Sequence, residues 1–224
     1  MTRASVFARL YDVVMTAADR IGVGRRREVL ARGARGLTIE IGAGTGLEFP
    51  YYPAESHVIA VEPDVAMIAR ARTRRSQAVA TISLVIADAR ALPFRDGVFD
   101  SAVSALAFCT IPQPARAAAE IRRVLKETGG ARLLEHVRAA HRPLAWLQVA
   151  MTPVWRRLAA GCHLDRRTTE LIRAAGFDVT IERASMDGAV VELIARPSNA
   201  LRTAGQSKKA QPLLSVDSGS GGTL

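Results

Sequence analysis

The chain has 224 residues and a mass of 24.0 kDa, with 49% hydrophobic and 23% charged residues. Those values exclude wholesale disorder and fit one domain with a full hydrophobic core. Two cysteines, Cys109 and Cys162, lie far apart with no C-x-x-C, so no disulfide framework is expected. His57, His136, His141 and His163 lack zinc-type spacing, and no metal site is expected. The formal charge of +10 attracts anions of any kind but names no partner. The basic clusters carry no interleaved aromatics, so no specific nucleic-acid surface is expected.

The first elements in chain order are helices. Residues 3 to 34 read as two, broken at Gly22 and Gly24, with Val6, Leu10, Val13 and Val14 at helical spacing in the first. Arg3, Arg9, Asp12 and Asp19 interrupt the apolar run that a signal peptide would need, and no run is long enough for a membrane span. The expected location is cytoplasmic. Strands follow over 37–41, 58–61, 81–87 and 98–104, with a helix over 64–75 between the second and third. Pro114 to Lys126 predicts an amphipathic helix ending at Gly129-Gly130, and 132–137 a fifth strand. Helices are expected over 144–160 and 165–175. Strands over 177–183 and 189–196 close the domain as a hairpin through Asp187-Gly188.

Strands alternating with helices predict an α/β fold: a seven-stranded, doubly wound, mostly parallel sheet into which the hairpin inserts one antiparallel strand. The expected division is a helical lid over 1–35 and a main domain over 36–196 with a helical insert near 140–175. A tail over 197–224, rich in Ser, Gly, Ala, Lys and Gln, is expected to be disordered.

The sharpest local feature is Glu40-Ile41-Gly42-Ala43-Gly44-Thr45-Gly46, directly after the first strand. Glycines there permit positive φ and close approach of a ligand to the backbone. The loop falls at the carboxyl end of the strand, where open α/β sheets bind ligands. The third glycine follows the second by two residues, not the three of the dinucleotide fingerprint. The preceding Glu40 suits a cation better than a pyrophosphate. Glu62 ends the second strand, where a carboxylate can accept both hydroxyls of a ribose. Asp88 follows the third strand, placed to take an exocyclic purine amine. Acids at three strand ends beside a glycine turn describe a pocket for a positively charged adenosine compound.

These runs resemble class I S-adenosylmethionine-dependent methyltransferases. The likeness rests on E-x-G-x-G-x-G, on Val61-Glu62-Pro63-Asp64, and on Ala87-Asp88-Ala89 running to Leu92-Pro93-Phe94. Phe99-Asp100 and Ile121 to Lys126 before Gly129-Gly130 extend it. The resemblance implies S-adenosyl-L-methionine as cofactor. It implies a cofactor site drawn from Glu40, Gly42, Ala43, Gly44, Gly46, Glu62, Pro63, Asp88, Ala89 and Ser104. Within the superfamily the chain is similar to the type 11 group, which includes quinone C-methyltransferases and bacterial phosphatidylethanolamine N-methyltransferases. Phe7 to Asp12 looks like that group's N-terminal capping helix. A narrower likeness is to methyltransferase-like proteins that methylate alkyl thiols. It lies in Gly46 to Pro53, Leu134 to Val137, Trp146 to Gln148, Pro153 to Trp155 and Gly161 to Leu164.

The expected acceptor is a small, lipophilic molecule: a thiol, an amine (a phospholipid headgroup included) or a quinone-like carbon. Methyl transfer mostly requires alignment of donor and acceptor, so no catalytic triad is needed. Glu135 and His136 end the fifth strand and are expected to face the acceptor; His136 could take a proton or serve as a structural histidine. Tyr11 could close the lid or simply pack. Cys109 and Cys162 read as small buried fillers. The apolar stripe of Pro143 to Gly161, with Arg156 and Arg157, could lie on an anionic bilayer or roof the substrate pocket. A non-catalytic cofactor-binding module is the alternative from another class.

Overall fold

A computed structural model describes residues 3–159 and 161–198; the tail expected to be disordered lies, from residue 199, outside the described residues. Two helices open the chain, α1 (Arg3–Ala18) and α2 (Gly24–Arg32), joined by a π-helical turn at Asp19–Val23. The break falls where Gly22 takes φ +117°, a conformation that glycine adopts without Cβ strain.

Seven strands follow: β1 (Leu37–Ile41), β2 (His57–Val61), β3 (Thr81–Val85), β4 (Phe99–Ala105), β5 (Leu125–His136), β6 (Phe177–Ser185) and β7 (Val190–Pro197). They form one sheet in the order β3-β2-β1-β4-β5-β7-β6. β1 pairs in parallel with both β2 and β4, as do β2 with β3 and β4 with β5. β7 alone runs antiparallel, between β5 and β6. The expected doubly wound sheet is therefore present, and its strand order reverses between β1 and β4. That switch point opens a crevice at the carboxyl ends of the strands.

Parallel strands are covered on both faces, hence the near-continuous burial of β1. One face packs Ile39, Ile41, Ala102, Leu133 and Leu193 against α4 (Pro114–Val124) and α6 (Thr168–Ala174) through Ala117, Ile121 and Ile172. The other packs Val58, Ala60, Val103 and Leu134 against α2 through Leu30 and Ala31, and against α3 (Val65–Arg75) through Ala71. Each fully buried Val, Leu or Ile among these contributes roughly 1.5–3 kcal/mol. Asp64 caps α3 by accepting from the amides of Ala66 (2.7 Å) and Met67 (3.2 Å), and arginines fill its last turn.

Three differences from expectation bear on glycine placement and the site. α4 stops at Val124 and β5 starts at once, so Gly129-Gly130 lies inside a strand rather than beyond a helix. The register with β4 slips between Phe99 and Ser101, and a Cβ on Gly129 would lie 2.9 Å from the Asp100 carbonyl oxygen. The glycine is needed for that crossing, not for a helix end. The hairpin turn is shifted by one residue: Met186 and Asp187 both take φ +52°, and the Gly188 amide donates to the Ser185 carbonyl at 3.1 Å. Finally, β3 ends at Val85, two residues early, which frees Asp88 from the sheet.

Candidate active site

The glycine loop leaves β1 at the switch point, its start pinned by the amides of Gly42 (2.9 Å) and Ala43 (3.0 Å) donating to the Val61 carbonyl. Gly42, Gly44 and Gly46 all have positive φ, but for different neighbours. A Cβ on Gly42 would lie 2.6 Å from the Ala107 methyl, and one on Gly46 2.5 Å from the Phe49 ring. These two are glycines because protein packs against them. A Cβ on Gly44 would meet nothing nearer than the Gly42 carbonyl oxygen at 3.8 Å. Gly44 therefore borders open space, a cradle that a side chain would fill. Ala43 is buried in the core beneath.

Glu62 stands beside this cradle. Its carboxylate accepts from the Gly44 amide (3.0 Å) and from the Asp64 amide (3.0 Å). Burial raises its pKa, with the two amide bonds opposing. Pro63 next to it is exposed.

The other two acids are differently placed. Glu40 is fully buried under the loop, where its carboxyl accepts from the Tyr52 hydroxyl at 2.9 Å. Burial first, then the neighbouring Glu48, pushes its pKa well above the usual carboxylate range. A carboxyl pushed toward its neutral form attracts a cation less than a fully ionised one. Asp88 is partly exposed and grips Arg90 through two side-chain nitrogens (2.6 and 2.9 Å). That bond holds its carboxyl below the ordinary range. Ala89 is buried in the main core. Among these three acids, only Glu62 is bonded to backbone amides without a basic partner among the described residues.

Sequence reading missed the structure beneath the loop. Arg27 of α2 is fully buried, ion-paired with Glu48 and, at 3.0 Å, with Asp19. Tyr11 shares this environment, and burial raises its pKa to about 12, so it stays a neutral phenol. Asp12 ties α1 to the loop. It accepts from the Thr45 hydroxyl at 2.6 Å and pairs with Arg70 and, at 3.1 Å, with Arg74 of α3. Arg74 also donates to the Thr45 carbonyl at 2.7 Å. An interrupted apolar pattern in α1 was the only signal that these charges had buried work to do.

Glu135 and His136 do not face one pocket. Adjacent strand residues point to opposite faces, and their pairing partners in β7, Val191 and Val190, belong to opposite sides of the sheet. Glu135 is fully buried and accepts at one oxygen from the Ser104 hydroxyl (2.9 Å) and from the amides of Ala107 (3.3 Å) and Phe108 (3.2 Å). Ser104, expected at the cofactor, turns its hydroxyl to Glu135 instead. Burial pushes the Glu135 carboxyl up to about 8, and its other oxygen, Oε2, has no partner among the described residues. On the opposite face, the His136 Nδ1 is likewise buried without a partner among the described residues. Burial lowers its pKa, so it is neutral at neutral pH.

The two cysteines, remote in sequence, meet. Cys109 in the loop after β4 is buried and Cys162 is half-buried after α5 (Arg142–Leu158); the amide of His163, next to Cys162, donates to the Cys109 carbonyl at 2.8 Å and sets the two thiols beside each other.

α5 inverts the usual amphipathic pattern. Its buried positions include Ala145, Gln148 and Thr152, while Trp146, Leu147, Val149, Met151, Val154 and Trp155 are exposed. Gln148 accepts from the Ala139 amide at 2.7 Å and donates to the Val137 carbonyl at 3.0 Å, bonding the backbone beyond β5. Among the described residues no helix is long and apolar enough to cross a membrane.

Residues 39–133 match the family model described as a methyltransferase domain. The human thiol S-methyltransferase TMT1B is 28% identical over 194 residues, covering 80% of this chain and 78% of that protein. A phosphatidylethanolamine N-methyltransferase of Cereibacter sphaeroides is 33% identical over 146 residues, covering 63% of this chain and 70% of that protein. A solved S-adenosylmethionine-dependent methyltransferase of Thermotoga maritima superposes with a TM-score of 0.57 at 21% identity, covering 85% of this chain and 99% of that one.

Proposed function

The chain belongs to the S-adenosylmethionine-dependent methyltransferase family, and from that premise we propose that it methylates a small lipophilic nucleophile drawn from an anionic membrane surface. The open cradle at Gly44, with the Glu62 carboxylate at its side, is the observation that carries the cofactor site. When bound, S-adenosyl-L-methionine supplies a methyl group on a positively charged sulfur, open to in-line attack. In this reading Gly44 gives the space, and Glu62 exchanges amide partners for ribose hydroxyls. Gly42, Ala43 and Gly46 hold the loop's shape, Glu40 lies beneath it, and Asp88, Ala89 and Pro63 border the adenine side. Asp88 must release or share Arg90 to serve there.

On the acceptor side, His136 is the group suited to take a proton, because a neutral imidazole is present at neutral pH. Glu135, protonated at neutral pH and bonded to Ser104, Ala107 and Phe108, is a positioning residue that holds the loop after β4. Tyr11 closes the lid as a neutral phenol.

Thiol acceptors come first, since the human relative TMT1B is named for them, with headgroup amines and quinone-like carbons as the alternatives. The inverted face of α5 supports delivery from a membrane. Its exposed side carries Trp146, Trp155 and aliphatics beside Arg142, Arg156 and Arg157, and the helix contains no acidic residue. Such a face suits the boundary of an anionic leaflet.

A labelled-methyl assay across alkyl thiols, phosphatidylethanolamine and quinols, with mass identification of the product, tests this reading. Transfer to a lipophilic member is expected. Tight cofactor binding without transfer to any of them would instead favour a non-catalytic binding module.

A further inference from the structure

Two segments far apart in sequence are clamped together behind Glu135. The loop after β4 carries Cys109, and the connection between α5 and α6 carries Cys162. The His163 amide donates to the Cys109 carbonyl at 2.8 Å. The Arg166 guanidinium donates to the carbonyls of Phe108 and, at 2.7 Å, Ile111. The Arg138 amide donates to the Arg166 carbonyl at 2.9 Å. The segments are thus fixed without help from the sulfurs, and the bond from His163 to Cys109 sets the thiols of Cys162 and Cys109 beside each other. Nothing in the methyl transfer described above uses them.

We propose that Cys109 and Cys162 form a redox-modification site, at which a hydroperoxide converts the two thiols into an intramolecular disulfide joining the α5–α6 connection to the loop after β4. The groups around the pair match the chemistry. Cys162 is the accessible partner, and its pKa is lowered to about 7 by the Cys109 thiol first, then by Trp155 and Arg166, against burial. Cys109 is buried, and the neighbouring Cys162 sulfur first, then burial, raises its pKa. One sulfur is suited to attack and the other to resolve.

In the first step the Cys162 thiolate attacks the distal oxygen of the hydroperoxide. The S–O bond forms, the O–O bond breaks, and the alkoxide leaves as an alcohol after taking a proton. The Cys109 sulfur then attacks the Cys162 sulfur. The S–S bond forms, the S–O bond breaks, and the oxygen departs as water with the proton of Cys109. The thiol pair loses two electrons and the hydroperoxide gains them. Cys109 directly follows Phe108, whose amide helps to hold Glu135, so the crosslink acts on the acceptor side of the site. The covalent step stands on the cysteine contact alone; its effect on turnover rests on the acceptor reading given above.

The test treats the full chain with tert-butyl hydroperoxide, denatures it in an alkylating agent and measures its mass. The expected product is a monomer two hydrogens lighter that takes no alkyl label. Its digest should contain a linked Cys109–Cys162 peptide, and dithiothreitol should restore both thiols. Methyl transfer, where an acceptor is known, should fall at least ~3-fold on oxidation and recover on reduction. In Cys109→Ser, the oxidation should stop at a Cys162 sulfenic acid that dimedone captures. Disulfide-linked dimers, two fully alkylated thiols, or over-oxidised Cys162 beside a free Cys109 would each overturn the proposal. Peptide mapping of the unaltered chain decides it even if the variant does not fold.

Discussion

Glu62 holds two backbone amides, so its removal has a local cost as well as a functional one. Glu62→Ala leaves the amides of Gly44 and Asp64 without their acceptor, at roughly 1–3 kcal/mol for such a loss. The fold should survive with a Tm lowered by several degrees, while calorimetry should show S-adenosylmethionine binding weakened at least ~30-fold, the loss of about 2 kcal/mol. Unchanged affinity would remove Glu62 from the cofactor site. Glu135 makes a different prediction because its carboxyl titrates near 8 when folded and near 4.5 when not. The folded state then binds more protons than the unfolded one between those values, so stability falls as pH rises through that window and levels off above it. Glu135→Gln imitates the protonated carboxyl, and its carbonyl can still accept from Ser104, Ala107 and Phe108. Chemical denaturation across pH should show a flatter profile for the variant, with the gain over the parent chain largest above pH ~8.

One buried carboxylate ties α1 to the glycine loop and to α3. α1 buries Ala8 but exposes Leu10, Val13 and Val14, so few of its described apolar side chains anchor it. Asp12 does, through Thr45 on the glycine loop and Arg70 and Arg74 on α3. Asp12→Ala should leave the buried Thr45 hydroxyl unpaired at about 1–3 kcal/mol. Amide exchange should then rise over residues 8–18 and over the glycine loop together, with the strands unaffected. Faster exchange in α1 alone would mean that lid and loop are not coupled. The same logic explains the inversion of α5: Gln148 faces inward because the backbone beyond β5 needs a partner there, Thr152 one turn on donates to the Gln148 carbonyl, and the tryptophans are left outside.

Taken together, the excess of positive charge and the apolar face of α5 make a surface prediction. The protein should sediment with vesicles containing anionic phospholipid and not with neutral ones, and binding should weaken as salt rises. Replacing Trp146 and Val149 by serine should cut that binding by at least ~10-fold, since two exposed side chains contribute about 1.4 kcal/mol or more at a bilayer. Cofactor affinity should be unchanged. Equal binding to neutral vesicles, or none to anionic ones, would detach the acceptor route from the membrane.

Local chemistry was enough for the alternation of strands and helices, the glycine loop, the acid at Glu62 and the family likeness. Each depends on spacing along the chain: a period of two or of 3.6, glycine where φ is positive, a carboxylate at a strand end. What folding alone decided was which groups share a neighbour. Glu40 and Asp88 look alike in sequence, yet burial raises the pKa of one and the other is paired with Arg90. Glu135 and His136 are adjacent in the chain and lie on opposite faces of the sheet, while Cys109 and Cys162, more than fifty residues apart, touch. Charge state and contact depend on desolvation and on non-local packing, and neither is a property of sequence spacing.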